Sequence, residues 1–347
     1  MMITWNRVLG LLCALSLPGC ASGFDEATES AVAAEQGIGS PGSCAAHRAM
    51  HPSRRHHEHP RFAVIGDPHL YDTSLGDTGE AFEATLQSDP KLLRESREIL
   101  ETVVNQVIEA HPDFVLVPGD MTKDGELSNH ELFTRYLRRF ERAGIAAFVV
   151  PGNHDLMNGH ARRYRGTEAE PVPSTTEADF LRLYERFGYG QAILRDRSTL
   201  SYVAEVSAGL WLLALDSTRH LENSPGEEPV TAGRLPAETR AWALRAARLA
   251  AHTGKRTIAM MHHGLIEHFG GQKILFPDYV IEDAESLAKD LAQVGIRLVF
   301  TGHYHAQDIV TANFEDGTRI TDVESGSLVT YPSPFRLVDF DLKHNVA

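Results

Sequence analysis

Beyond Cys44 the 347-residue chain has no cysteine, and its three, Cys13, Cys20 and Cys44, all precede residue 45. The rest of the chain therefore has no disulfide framework, no thiolate metal site and no cysteine nucleophile, and a metal bound there takes nitrogen and oxygen ligands. Long hydrophobic runs are also scarce. The one at residues 8–17 is too short to cross a bilayer comfortably, which excludes a polytopic membrane protein. Positive charge is in deficit: 33 Lys and Arg against 47 Asp and Glu leave a net charge of −14, so no broad electrostatic surface for nucleic acid or an anionic bilayer is expected. Internal repeats are absent, and 42% hydrophobic with 23% charged residues is ordinary globular usage. Histidine is what the chain has in excess, with 18 residues of the type that most often ligates metals and titrates near neutral pH.

Residues 1–19 carry Arg7 ahead of the apolar run, the n-region and h-region of a secretory signal. Leu17-Pro18-Gly19-Cys20 resembles a bacterial lipobox, whose cysteine becomes the lipidated first residue of the mature protein. That resemblance implies an exported bacterial lipoprotein anchored to a membrane through Cys20. With Ala21 next in place of an aspartate, it implies an outer-membrane or periplasm-facing position. Residues 20–60, rich in Ala, Gly, Ser and Pro without a sustained period, read as a flexible linker. His47, His51, His56, His57 and His59 fall among Arg48, Arg54 and Arg55 there, and a solvated tether suits them better than a fixed metal site. A single catalytic domain is expected over residues 61–347.

Short apolar runs then alternate with amphipathic stretches. Strands are predicted at 62–65, 114–117 and 145–150, with helices over 92–110 and 128–143, the second opened by a Ser128–Glu131 capping box. This βαβαβ order predicts a parallel sheet with right-handed crossovers. Farther on, helices are expected at 178–187, 236–251 and 284–294, and strands at 200–206, 210–215, 257–261 and 297–300. The tail from residue 308 reads as three short antiparallel strands.

The chemistry sits at the ends of the apolar runs. Gly66-Asp67-Pro68-His69, Pro118-Gly119-Asp120, Pro151-Gly152-Asn153-His154-Asp155, His262-His263-Gly264 and Thr301-Gly302-His303-Tyr304-His305 each come directly after a strand. In an open α/β sheet the carboxyl ends of parallel strands share one edge, so these groups should converge. Two carboxylates, an amide oxygen and four or five imidazoles suit Zn, Mn or Fe and are too nitrogen-rich for calcium. Seven ligands exceed one tetrahedral ion and match two ions sharing a bridging carboxylate.

These five motifs, in this order, resemble the calcineurin-like metallophosphoesterase superfamily. The resemblance implies an α/β fold, a four-layer α/β/β/α sandwich of mixed sheets with a dinuclear metal site at the strand C-terminal ends. It implies two divalent or trivalent ions (Mn, Fe or Zn), with Asp67, His69 and His305 on one, Asn153, His303 and either His262 or His263 on the other, and Asp120 bridging. His154 would approach the scissile phosphate, with Asp155 holding its imidazole. Gly119-Asp120-Met121-Thr122-Lys123-Asp124-Gly125 looks most like the exported bacterial phosphodiesterase branch, which includes cyclic-nucleotide and glycerophosphodiester hydrolases. The implied activity is two-metal hydrolysis of a small phosphate ester or diester, such as a nucleotide. The alternatives are a phosphomonoesterase or nucleotidase on the same site, or an inactive surface metal-binding protein. Loops 71–90, 158–176 and 267–279 are expected to set substrate choice.

Overall fold

A computed structural model of the chain describes residues 58–347 apart from Pro90 and Pro225. The signal segment, Cys20 and the linker through residue 57 lie outside the described residues. Among those described, no helix is long and apolar enough to cross a membrane.

Strand β1 (Arg61–Val64) is followed by helices α1 (Glu80–Ser88) and α2 (Ser96–Glu109). Then β2 (Phe114–Val117), α3 (Leu127–Arg142) and β3 (Ala146–Val149) complete the βαβαβ unit. The three strands pair in parallel, with Phe62 opposite Phe114 and Val115 opposite Ala147. Helix α2 starts four residues later than its apolar period suggests, because the preceding segment is tied elsewhere: Leu92 N donates to Val329 O at 2.8 Å, and Ser96 Oγ accepts from Tyr71 N at 3.0 Å. The capping box expected at Ser128 does not form. Glu126 precedes α3 without a side-chain cap, and its carboxylate accepts instead from Asp124 N at 3.0 Å and Asn129 Nδ2 at 2.7 Å.

Past β3, a segment expected to be loop makes a hairpin of β4 (Arg162–Arg165) and β5 (Glu168–Pro171). Helix α4 (Glu177–Leu183) has its capping box between Thr176 and Asp179. Strands β6 (Leu194–Arg195), β7 (Tyr202–Ser207) and β8 (Leu210–Leu215) lead to α5 (Ala237–His252) and β9 (Arg256–Met261). The short α6 (Gln272–Leu275), α7 (Ala284–Gln293) and β10 (Leu298–Thr301) precede β11 (Asp308–Asn313), β12 (Arg319–Glu324) and β13 (Arg336–Asp339).

The strands form a four-stranded sheet, β13-β1-β2-β3, and a seven-stranded sheet, β11-β12-β10-β9-β8-β7-β6. The tail is therefore not one antiparallel meander: β12 runs parallel to β10 and antiparallel to β11, while β13 joins the other sheet antiparallel to β1. Side chains alternate across each strand. Leu212, Ala214, Ile258 and Met260 share a core with the four-stranded sheet, whereas Leu213, Leu215, Ala259 and Met261 pack under Ala243 and Ala247 of α5 and Leu287 and Leu291 of α7. Phe62 stacks on Phe114 at 4.6 Å and meets Phe300 of β10 edge-on at 5.2 Å, so aromatic rings fill the space between the sheets. Helices α2 and α3, the crossovers of the parallel unit, bury Val103, Val107, Phe133 and Leu137 in the core they share with it. The result is a mixed α/β fold in four layers, α/β/β/α.

Candidate metal centre

The carboxyl ends of β1, β2, β3, β9 and β10 deliver the five motifs, and the chain turns sharply there. Asp67, His69, Asp120, His303 and His305 all have positive φ, at 43°, 38°, 47°, 77° and 62°. Non-glycine residues hold such backbone only where surrounding structure over-determines it, and it clusters at functional sites. Two glycines leave room for the carboxylates. A Cβ on Gly152 would lie 2.1 Å from Asp120 Oδ1, and one on Gly302 would lie 2.2 Å from Asp67 Oδ2.

Two donor groups result. In one, an atom each from Asp67, His69, Asp120 and His305 lie within 4.8 Å of one another; in the other, atoms of Asp120, His262 and His303 do so. Asp120 belongs to both. The Asn153 amide oxygen sits beside the second group, 2.9 Å from His262 Nε2.

The fit of these residues to metal ions can be judged from their protons. His262 Nδ1 donates to Pro118 O at 2.9 Å, which leaves Nε2 of the neutral ring as a lone pair facing Asn153 Oδ1 and, at 3.4 Å, Asp120 Oδ2. His303 Nε2 lies 3.2 Å from Asp278 O, which frees Nδ1. His69 Nε2 and His305 Nε2 face each other at 3.1 Å, and Asp67 Oδ2 and His69 Nδ1 are buried without a hydrogen-bond partner. Lone pairs converging in a buried space require a cation, and carbonyls behind the imidazoles fix the tautomers as metal sites do. With protein charges alone, burial raises the Asp67 carboxyl to about 7 against the pull of His262, with Asp120 adding to the rise. Burial lowers His305 to about 3.

His263 stands outside both groups. Its Nδ1 is 2.7 Å from Ser217 Oγ, its Nε2 donates to Thr231 O at 2.9 Å, and burial pushes its pKa down to about 3.

His154 lies at the rim of the first group, its ring edge-on to His69 at 5.0 Å and its backbone N donating to Asp120 Oδ1 at 2.9 Å. The expectation that Asp155 holds this imidazole is corrected by the geometry. Asp155 faces inward, where its carboxylate accepts from Gly152 N at 2.9 Å, Thr122 N at 3.1 Å and Met121 N at 3.2 Å, bracing two motif loops against each other. The partner of His154 is Asp124, with Oδ1 2.8 Å from Nδ1. Burial works to lower the His154 pKa, but Asp120 and the bond to Asp124 leave it raised overall. Asp124 is itself held well below the usual carboxylate range, burial notwithstanding, by its ion pair with Lys123 and its bond to His154. Its signal in the sequence was the second acid of Gly119-Asp120-Met121-Thr122-Lys123-Asp124-Gly125.

The sequence profile of the calcineurin-like phosphoesterase family matches residues 60–307, which include every residue of both donor groups. This chain belongs to the calcineurin-like phosphoesterase family. As a member it is a metal-dependent hydrolase of phosphate esters, and the family's dinuclear cofactor fits the donor groups just described. Among solved structures, a dimetal phosphatase from Danio rerio shares the fold, with 14% identity, a TM-score of 0.54 and coverage of 80% of this chain and 91% of that one. A purple acid phosphatase from Lupinus luteus seeds aligns with 13% identity, a TM-score of 0.46 and coverage of 76% and 44%. No curated protein matches the chain by sequence.

The mouth of this phosphoesterase site has two unlike sides. Lys91, mostly buried and paired with Asp89 at 2.8 Å, is one: its neighbour Leu92 binds Val329 O, and Thr330 Oγ1 lies 3.5 Å from His305 Nδ1. The charge of Lys91 disfavours protonation of His69, His154 and His305. The other side is aromatic. Tyr279 stacks on His303 at 4.7 Å, Tyr304 meets Tyr279 edge-on at 5.2 Å, and Phe276 and Phe269 lie 5.4 and 5.8 Å from Tyr304. Loops 71–90 and 267–279 thus contribute to the mouth.

Proposed function

We propose that this phosphoesterase is a phosphodiesterase of the exported bacterial branch. The aromatic wall beside His303 carries the reading. A diester bears a second organic substituent on phosphorus that needs a surface next to the reacting centre, and this wall supplies one. The charge balance agrees: Lys91, the cation whose field reaches these ligands, is already paired with Asp89, which suits a monoanionic ester.

In this reading Asp67, His69 and His305 would hold one ion and Asn153, His262 and His303 the second, with Asp120, which belongs to both donor groups, available to each. The nitrogen and oxygen donors suit Mn, Fe or Zn. When bound, such a pair supplies charge stabilisation at the phosphoryl oxygens and a nucleophile generated from water near neutral pH. His154 gives its Nε2 proton to the departing alcohol, because Nδ1 is occupied by Asp124. Asp124 keeps that ring oriented and favours its protonated form, while Asp155 keeps the β2 and β3 loops in register.

Turnover of bis(p-nitrophenyl) phosphate above p-nitrophenyl phosphate in Mn or Zn is the expected result, and faster monoester turnover would overturn it. A phosphomonoesterase or nucleotidase is the second reading, favoured by the aromatic wall in so far as a nucleotide's base would also stack on Tyr279 and Tyr304. For the amino-terminal region, the proposal is a signal peptide over 1–19, lipid attachment at Cys20, a linker to residue 60 and placement at the outer membrane or facing the periplasm. Mass spectrometry of the mature N-terminus tests it.

A further inference from the structure

Five of the twelve exposed large apolar side chains among the described residues lie on two loops that touch the metal-ligand region. On α6 and its flanks, Ile274 is 84% and Leu275 66% exposed, with Phe269 and Phe276 partly so. Tyr331, 88% exposed, follows Thr330, the neighbour of His305. Soluble proteins expose such side chains singly, and the run at 274–276, adjoining residues that reach a metal-ligand imidazole, marks a contact surface.

The α6 loop is not a frayed segment. Its foot is fixed by His268, whose buried ring has Nδ1 3.0 Å from Asp308 and Nε2 3.3 Å from Glu324 and 3.5 Å from Asp322. His268 N donates to Gln272 Oε1 at 2.7 Å, and Lys273 N donates to Glu267 Oε1 at 2.8 Å. At its other end, Asp278 and Tyr279 are seated on His303. A rigidly footed loop therefore holds an apolar crest in solvent, and the crest continues through Phe276 and Tyr304 to a metal-ligand imidazole.

We infer that this crest and wall seat the acyl chains of a zwitterionic phospholipid, so that the diester reaching the metal centre is a lipid headgroup at a membrane surface. The inference rests on the phosphodiesterase reading and names its substrate class. A nucleobase would use the rings but leave Ile274 and Leu275 idle, whereas an aliphatic chain uses both. The net charge of −14 disfavours anionic lipid.

The test uses the metal-loaded full chain. Choline-containing product is measured from dioleoylphosphatidylcholine vesicles, from dihexanoylphosphatidylcholine and from glycerophosphocholine, which has the same headgroup without acyl chains. The expected result is kcat/KM at least roughly tenfold higher for the acylated substrates. The ratio of vesicle turnover to bis(p-nitrophenyl) phosphate turnover should also fall roughly tenfold in Ile274→Ser/Leu275→Ser, whose positions are too exposed to threaten folding. Equal or better turnover of glycerophosphocholine or of a dinucleotide, or an unchanged ratio in the double variant, overturns the lipid inference and leaves the diesterase reading intact. Preference for p-nitrophenyl phosphate over the bis ester would instead overturn the reading beneath it.

Discussion

Replacing Asp124 with Asn tests the proton-delivery arrangement most directly. The variant keeps the shape of the side chain and removes the charge that faces His154 Nδ1 at 2.8 Å. A charge-assisted bond of that length in a buried setting contributes about 1.5–3 kcal/mol. At about 1.4 kcal/mol per decade of rate, kcat should fall about ten- to a hundredfold. Because Asp124 belongs to neither donor group, metal content should stay at the wild-type value and KM should move little. The assay is steady-state hydrolysis of bis(p-nitrophenyl) phosphate, with metal analysis of the same samples and a melting curve, since Lys123 loses its nearest partner. If Asp124 acts through His154, the same change in a His154→Ala background should cost almost nothing further, as coupled positions show. A variant that lost its metals, or two losses that simply added, would refute the arrangement.

Other expectations are equally specific. His262→Ala should release metal, whereas His263→Ala should lower the melting temperature but retain the wild-type ion count; equal metal loss in both would overturn the distinction drawn from their hydrogen bonds. Gly302→Ala should displace the Asp67 carboxylate and leave at most one ion per chain by elemental analysis, given the 2.2 Å approach a Cβ would make. The His268 cluster predicts a pH dependence of stability. Burial works against the charged ring, yet Asp322, Glu324 and Asp308 lift its pKa from 6.5 to about 9, so its contribution is complete below about pH 6.5 and lost as pH rises through 9. The melting temperature should therefore decline between pH 6.5 and 9 and decline less in His268→Gln; parallel slopes would contradict the assignment.

Much of the scaffold was legible because apolar runs end abruptly at Gly or Pro followed by His, Asp or Asn. Leu210–Leu215 reads as a continuous apolar strand, and it is an interior strand, parallel to β9 and antiparallel to β7, with every residue buried. The β4–β5 hairpin was not legible, since Arg162–Arg165 and Glu168–Pro171 are polar on most positions and show no alternation to reveal a buried side. Sheet membership in the tail also escaped, because the pattern of β13 states that it is a strand and says nothing about a partner almost 280 residues away. At the site, residue types and order were readable from the motifs, but pairing was not. Asp155 is adjacent to His154 in sequence and turned away from it in space, while Asp124, thirty residues earlier, makes the contact.

The β1–β13 pairing has a consequence for assembly. Arg61 is registered opposite Asp339, Phe340 N donates to Pro60 O at 2.9 Å, and Ser327 Oγ donates to Asp67 O at 2.8 Å. The loop that presents Asp67 and His69 is thus held partly by residues synthesised at the opposite end of the chain. Contacts of such long sequence separation form late and make folding slow. Metal capture at the first donor group should therefore be among the last events of folding, and a nascent chain cut before β13 would keep every ligand while lacking the strand that pairs with β1, from whose end the Asp67–His69 loop leaves.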